Sequence, residues 1–206
     1  MAASGNGLTP PPPDSLPYYG DKTGIAVGPA QHVWLTGSTA GEGMGWLYRS
    51  SPGGSTWAPV SLTVSTTWAQ AQLTSYPPVW ASVHQDYLPV TVDGTDIGLY
   101  VANGSKAPWT LVTSIPTPGV LTASLSLAVA TPGSGWITNG RNLWASTDGG
   151  HNWRVTWRLT PGWTFAGVSL SGRQDGVLLA TRRHGTTFDY AVWQTINGGR
   201  TWTDRG

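Results

Sequence analysis

Two aspartates occupy corresponding places in the sequence and are the best candidates for acid–base chemistry. Asp86 in HQDY and Asp175 in RQDG each come just before an apolar run. Cleavage of a glycosidic bond needs two carboxyl groups about 5–10 Å apart across a cleft. A pair of carboxyl groups at these places is compatible with such acid–base chemistry, whereas two solvated turn aspartates are the simpler interpretation.

The other polar residues exclude several kinds of chemistry. The chain has no cysteine, which excludes disulfides, thiolate metal sites and cysteine nucleophiles. Its four histidines have no metal-like spacing. Asp93 and Asp96 in VDGTDIG fit a hairpin turn as well as a weak calcium site. We therefore predict no metal and no cofactor.

Composition narrows the class of protein further. Charged residues make up 10% of the 206 residues and the net charge is +1, which gives no electrostatic reason to expect nucleic acid as a partner. No apolar run reaches the roughly 18 residues of a membrane helix. With 28 Gly, 16 Pro and 13 Trp, the chain is typical of many short strands joined by tight turns.

Residues 1–23 are polar and rich in proline, and they lack the basic and apolar regions of a signal peptide. We interpret them as a stiffened lead-in or linker. Such a start is typical of a piece of a longer exported or membrane-anchored protein, and equally of a plain cytoplasmic start. Composition favours an extracellular or cell-surface protein that lacks its signal or anchor here.

The sequence repeats itself with a period near 50 residues. Similar turns end at Trp57, Trp109, Trp153 and Trp202, which are 52, 44 and 49 residues apart. Each unit holds short alternating runs rich in Val, Leu, Thr, Trp and Tyr, and none has a helical period. Four strands per unit predict an all-β propeller of four antiparallel four-stranded blades, at about 24–64, 65–115, 120–160 and 163–206.

The turn STDGGHNW resembles the Asp box, or bacterial neuraminidase repeat, whose pattern is Ser/Thr-x-Asp-x-Gly-x-Thr/Asn-Trp. TINGGRTW fits with Asn for Asp, SSPGGSTW has Pro52 where Asp belongs, and VANGSKAPW keeps little beyond its turn character and Trp109. The residues that carry the resemblance are Ser146, Asp148, Gly150, Asn152 and Trp153, then Thr195, Asn197, Gly199, Thr201 and Trp202, and finally Ser50, Gly54, Thr56, Trp57 and Trp109.

The residue types of this turn predict a structural role. Asp or Asn accepts hydrogen bonds from the turn's backbone N–H groups, and glycines adopt positive φ behind it. The Trp buries a large ring and donates its indole N–H. In the family, these boxes lie at the blade periphery, away from the ligand-binding face. We therefore expect Asp148 and Asn197 to do no chemistry.

The family that this turn resembles includes two kinds of enzyme. Sialidases use an arginine triad and a Tyr–Glu nucleophile pair, but this chain has a single glutamate, Glu42, and no arginine before Arg49. Other Asp-box propellers hydrolyse β-glucans with paired aspartates, which keeps Asp86 and Asp175 as the enzymatic alternative. The resemblance also covers non-catalytic propellers, such as photosystem II assembly factors and sortilin-like receptors.

Four tryptophans are left over once strand and turn positions are filled, and they are Trp68, Trp80, Trp157 and Trp163. Exposed at blade connections, they would stack on a sugar ring or anchor a protein partner, and the alternative is core packing between blades. We therefore expect a non-enzymatic recognition or assembly module that binds a glycan or protein. Four blades suit a ring that closes alone, a dimeric ring, or part of a larger propeller.

Overall fold

The computed structural model describes residues 20–28, 31–39, 44–82, 85–104, 107–117, 125–131, 133–172 and 174–206. The lead-in up to residue 19 and Glu42 lie outside these residues. The first blade contains β1 (Asp21–Val27), β2 (Val33–Thr39), β3 (Met44–Ser50) and β4 (Trp57–Pro59). The second contains β5 (Leu73–Ser75), β6 (Val79–Ser82), β7 (Gln85–Val92), β8 (Asp96–Ala102) and β9 (Thr110–Pro116).

The second half of the chain continues the pattern. The third blade contains β10 (Leu125–Thr131), β11 (Ser134–Asn139), β12 (Asn142–Ser146) and β13 (Arg154–Arg158). The fourth contains β14 (Trp163–Leu170), β15 (Gly176–His184), β16 (Thr187–Thr195) and β17 (Thr203–Asp204). Helix in the described residues is limited to 3-10 turns, at Gln31, Pro52–Gly54 and Thr66–Trp68.

The predicted fold class is confirmed: this is an all-β propeller chain with four blades. Each blade is an antiparallel sheet, and its strands follow one another in chain order in the first, third and fourth blades, whereas β5 and β6 of the second blade both pair with β7. Contacts divide the chain into two compact units, Met1–Val120 with the first two blades and Leu121–Gly206 with the last two. Strand β1 begins at Asp21, three residues before the predicted start of the first blade.

The second blade departs from four simple strands because its first strand is split. β5 pairs with the end of β7 at residues 90–92, and β6 pairs with the beginning of β7 at residues 85–87. Pro77 and Pro78 lie between the two segments, and proline cannot donate a ladder hydrogen bond. The proline pair therefore breaks one strand into two.

In the first unit, the two blades pack through a core of indole and aliphatic side chains. Trp34 of β2 meets Trp109 edge to face, with ring centroids 5.9 Å apart. Ser75 of β5 is fully buried; its single hydroxyl proton lies within reach of the carbonyl oxygens of Gly37 (3.1 Å) and Trp46, and its oxygen accepts from the backbone N–H of Gly37 at 3.3 Å. A side chain of the second blade thus satisfies backbone groups of the first.

The second unit repeats this arrangement between the third and fourth blades. Its buried core contains Trp136 and Leu143 from the third blade and Phe165 and Leu178 from the fourth. The backbone N–H of Phe165 donates to the carbonyl of Gly140 at 2.7 Å. The first strand of the fourth blade therefore lies against the third blade, where it closes the core.

Within the described residues, no helix is long and apolar enough to cross a membrane.

Candidate functional site

The turn between β12 and β13 is held by a hydrogen-bond network centred on Asp148. Its carboxylate accepts from the Ser146 hydroxyl at 2.9 Å, and from the backbone and side-chain N–H groups of Asn152 at 3.0 and 2.7 Å. These bonds lower the pKa of Asp148 to about 2. The indole of Trp153 donates to the carbonyl of Gly150 at 2.9 Å. The acid is therefore committed to holding the turn.

The turn between β16 and β17 builds the same network around an amide. Asn197 Oδ1 accepts from the Thr195 hydroxyl at 2.9 Å and from the backbone N–H of Thr201 at 3.0 Å. Its Nδ2 donates to the Thr201 hydroxyl at 2.8 Å. Gly198 and Gly199 have φ of 71° and 80°, which L side chains rarely adopt. The neutral side chain thus reproduces the geometry of Asp148.

A cleft of about 390 Å³ lies beside these two turns in the second unit. Its lining comes from the turns and neighbouring strands of the third and fourth blades: Ser134, Trp136, Ala145, Ser146, Thr147, Arg154, Val155, Thr156, Leu170, Gly198, Gly199 and Arg200. The volume falls within the range of small-ligand pockets, which is about 300–1,000 Å³.

Close packing around one indole fixes the shape of this cleft. The ring of Trp136 lies against Gly176 and Gly199, where an added Cβ would come within 2.4 and 2.8 Å of ring atoms. On another side it meets Trp202, with ring centroids 5.1 Å apart. The fourth-blade turn can therefore approach the third blade only because glycine occupies positions 176 and 199.

Two arginines give the cleft its charge. Arg154 is the first residue of β13, pairs across the ladder with Ala145, and is exposed. Arg200 is exposed in the turn that follows β16. Within the described part of the chain, neither guanidinium forms an ion pair, and no carboxylate lines the cleft. Two cations from neighbouring blades thus meet at one cavity without a compensating acid.

Two of the tryptophans predicted to bind ligand lie in an aromatic cluster of the second unit. Trp157 stacks on Trp202 at 5.9 Å and meets Phe165 and Trp193 edge to face. Trp163 carries the guanidinium of Arg182 over its ring, 4.9 Å from the centroid. Both side chains are half-buried, and each has at least one ring face in contact with the protein.

The other two predicted tryptophans pack in the first unit. Trp68 ends the 3-10 turn and lies against Gly98, where an added Cβ would be 2.8 Å from the ring. Trp80 of β6 lies against Gly28, where an added Cβ would be 2.5 Å from the ring. Both are half-buried against the core of this unit. A ligand-binding role for these four tryptophans stays a prediction.

The two candidate catalytic aspartates lie in different environments. Asp86 is inside β7, opposite Ala102, and only 4% exposed. Burial raises the pKa of its carboxyl to about 6, and the charge of Arg49 opposes part of this shift. Asp175 is exposed, in the turn before β15. The first belongs to unit 1 and the second to unit 2, and neither lines the cleft.

Metal ligands do not cluster in the described residues, where no group of three or more His, Asp or Glu side chains comes together. Asp93 has a positive φ of 51° in the β7–β8 hairpin, and its carboxylate accepts from the backbone N–H of Gln72 at 2.7 Å. Asp93 therefore acts as a turn residue, which was one of its two predicted roles.

Sequence reasoning missed the two cleft arginines. Each one adjoins a turn that matched the repeat well, since Arg154 follows Trp153 and Arg200 stands inside TINGGRTW. Their position in the third and fourth repeats was the available signal. The sequence could not show that the two repeats bring both guanidinium groups to one cavity.

No protein-family model and no curated protein matches the chain. Solved structures do. A GH74 xyloglucanase from Xanthomonas campestris is 19% identical with a TM-score of 0.61 over 87% of this chain and 29% of its own. The Hadza microbial sialidase Hz136 is 13% identical with a TM-score of 0.56, over 84% of this chain and 42% of its own. A PL25 ulvan lyase bound to -[GlcA(1-4)Rha3S]- is 11% identical with a TM-score of 0.56, over 88% of this chain and 54% of its own.

These comparisons correct the expectation that the chain is not an enzyme. The similar structures are a xyloglucanase, a sialidase and a polysaccharide lyase, so the absence of familiar catalytic residues was no basis for excluding catalysis. Identities of 11–19% show the fold alone, and this chain spans at most 54% of the three proteins. Whether it catalyses a reaction is a matter for experiment.

Proposed function

We propose that this chain is a carbohydrate-binding β-propeller protein that holds an acidic sugar in the cleft between its third and fourth blades. The observation that carries the proposal is the pair Arg154 and Arg200, which line one cavity and form no ion pair with any residue that the structure describes. Guanidinium groups form bidentate, charge-assisted hydrogen bonds with carboxylate and sulfate-like oxygens.

The rest of the cleft suits the neutral part of a sugar. Ser134 and Thr147 contribute hydroxyl groups, which can both donate to and accept from sugar hydroxyls. Val155 and Leu170 contribute apolar surface for the C–H face of a ring. Small-molecule sites commonly combine such apolar walls with a few placed polar groups.

The structural comparisons support a carbohydrate as the class of ligand. The ulvan lyase was solved with a glucuronate and sulfated rhamnose repeat, which carries the two kinds of anion that a guanidinium pair binds. By the same fold analogy we propose an extracellular or cell-surface location for this chain. The turns around Asp148 and Asn197 are, in this proposal, Asp boxes that support the cleft wall.

The enzymatic alternative is a glycoside hydrolase that uses Asp86 and Asp175. A pKa near 6 is in the range of a general acid, but the Asp86 carboxyl is buried and a hydrolase needs both carboxyls at a cleft. The arginine pair favours binding of an acidic sugar whether or not a reaction follows.

A glycan array combined with a reducing-sugar assay tests both functions. We expect the wild-type chain to bind glucuronate-containing and sulfated oligosaccharides on the array and not to bind neutral xyloglucan oligosaccharides. Equal retention of neutral and acidic glycans, or retention of neither, would contradict the proposal. Turnover of any glycan that Asp175→Asn abolishes would support the hydrolase alternative.

A further inference from the structure

The fourth blade carries an apolar sheet face that is largely exposed among the described residues. Side chains that alternate along β15 and β16 point to the same face, and on this face they are Val177, Leu179, Phe188, Tyr190 and Val192. Four of them are exposed by 38–63%. We name these five residues the outer face of the fourth blade.

The repeat shows what covers such a face elsewhere in the molecule. In the fourth blade Gly176 pairs with Thr195 across the ladder, and in the third blade Gly135 pairs with Ser146 at the equivalent place. Val177 therefore corresponds to Trp136 of the third blade. Trp136 packs in a core with Val168 and Leu170 of β14, the first strand of the next blade, and its ring also meets Gly176, Gly199 and Trp202. In the first unit, the equivalent Trp34 packs with Leu73 of β5, again the first strand of the next blade.

The first blade exposes the complementary surface. On β14, Val168 and Leu170 are the side chains that pack towards the third blade, and they pair with Leu178 and Gly176. The equivalent register on β1 places Ile25 opposite Leu35 and Val27 opposite Val33. Ile25 and Val27 are 63% and 69% exposed. The first strand of the first blade thus exposes apolar residues at the positions that, on β14, pack towards the preceding blade.

We infer that a second copy of this chain occupies the outer face, through Ile25 and Val27 of its β1. The contact is head to tail, because the two surfaces differ and each copy carries one of each. Terminal repeats of soluble repeat proteins need a polar outer face, and an apolar one marks an interaction surface. Arg183 and Gln194, at the edges of the same sheet face, provide a polar rim.

Sedimentation velocity of the wild-type chain and two single variants tests this inference. We expect a wild-type mass at least twice that of the 21.8-kDa chain, and a monomer for both Tyr190→Lys and Ile25→Lys. The control is Ile196→Lys, which removes an exposed apolar side chain from a turn outside both surfaces and should leave the wild-type mass unchanged. Circular dichroism checks that all variants fold.

An equimolar mixture of the two monomeric variants gives the sharpest outcome. Tyr190→Lys keeps an intact β1 and Ile25→Lys keeps an intact outer face, so the mixture should form a species of about twice the chain mass. A monomeric wild type would overturn the inference. So would an associated Ile25→Lys variant, which would indicate face-to-face pairing, or a mixture that stays monomeric.

Discussion

The carboxylate of Asp148 accepts two hydrogen bonds from Asn152, at 3.0 Å from its backbone N–H and 2.7 Å from its side-chain amide. In the fourth blade, Asn197 Oδ1 likewise accepts from the backbone N–H of Thr201, but the side-chain bond is reversed, because Asn197 Nδ2 donates to the Thr201 hydroxyl. A charged and a neutral side chain therefore occupy the same place in the two turns, and in both an oxygen accepts from the backbone N–H four residues on.

We expect Asp148→Ala to lower the melting temperature more than Asp148→Asn, because the alanine leaves the N–H groups of Asn152 without an acceptor. Thermal unfolding of both variants at neutral pH measures the difference. Equal melting temperatures for the two variants would show that the acceptor oxygen does not hold the turn.

Acid should weaken the same turn in the wild type. Hydrogen bonds hold the pKa of Asp148 at about 2, below the ordinary value of 3.8. Because the pKa of Asp148 is lower in the folded state, this carboxylate stabilises the fold at pH values above its unfolded pKa of 3.8. That stabilisation is lost as the pH falls from 3.8 towards 2. The melting temperature of Asp148→Asn should therefore fall less steeply than that of wild type over this interval.

Asp86 should give the opposite pH dependence. Burial raises the pKa of Asp86 from 3.8 to about 6, so the folded state favours the protonated carboxyl. Its stabilising contribution is complete below pH 3.8 and is lost as the pH rises through 6. We expect the free energy of unfolding to drop by about 2 kcal/mol across this interval in wild type and not in Asp86→Asn. Denaturant unfolding at several pH values measures it, with the exposed Asp175→Asn as control.

The buried Ser75 hydroxyl should stabilise the packing of the first two blades. Ser75→Ala removes the donor to the carbonyls of Gly37 and Trp46 and should cost about 1–3 kcal/mol of unfolding free energy. Ser114→Ala, on an exposed position of β9, should change stability by less than about 0.5 kcal/mol. A similar, small effect of both substitutions would contradict the role given to Ser75.

Substitution of Trp157 distinguishes a role in core packing from a role in ligand binding. Its contacts with Phe165, Trp193 and Trp202 lead us to expect Trp157→Ala to cost about 3 kcal/mol of unfolding free energy. Denaturant unfolding and sugar titration of the same variant report both roles. Unchanged stability with lost sugar binding would favour the original ligand-binding prediction.

The sequence was sufficient to predict the fold because the blade is a local unit. Spacing of the turn tryptophans and alternation within strands depend on neighbouring residues, and both recur in each repeat. The split first strand of the second blade was not predicted, although Pro77 and Pro78 carry the signal. A repeat pattern averages over such local interruptions.

The candidate site was less accessible to sequence reasoning. Surplus tryptophans drew attention, yet Trp157 and Trp163 turn their rings towards other aromatic or cationic side chains. The cleft instead depends on Gly176 and Gly199 lying against Trp136, a contact between residues 40 or more positions apart. Only packing between blades brings Arg154 and Arg200 to the same cavity.

The most direct test of this account is calorimetric titration of wild type and the Arg154→Gln/Arg200→Gln variant with a glucuronate and sulfated rhamnose oligosaccharide. Arg158→Gln is the matched control, because Arg158 lies on the same strand outside the cleft and bonds Asn142. Loss of one charged hydrogen-bond partner typically costs about 1.5–3 kcal/mol, so the double variant should bind at least about 100-fold more weakly. Unchanged affinity in the double variant, or an equal loss in Arg158→Gln, would contradict the assignment of the cleft as the sugar site.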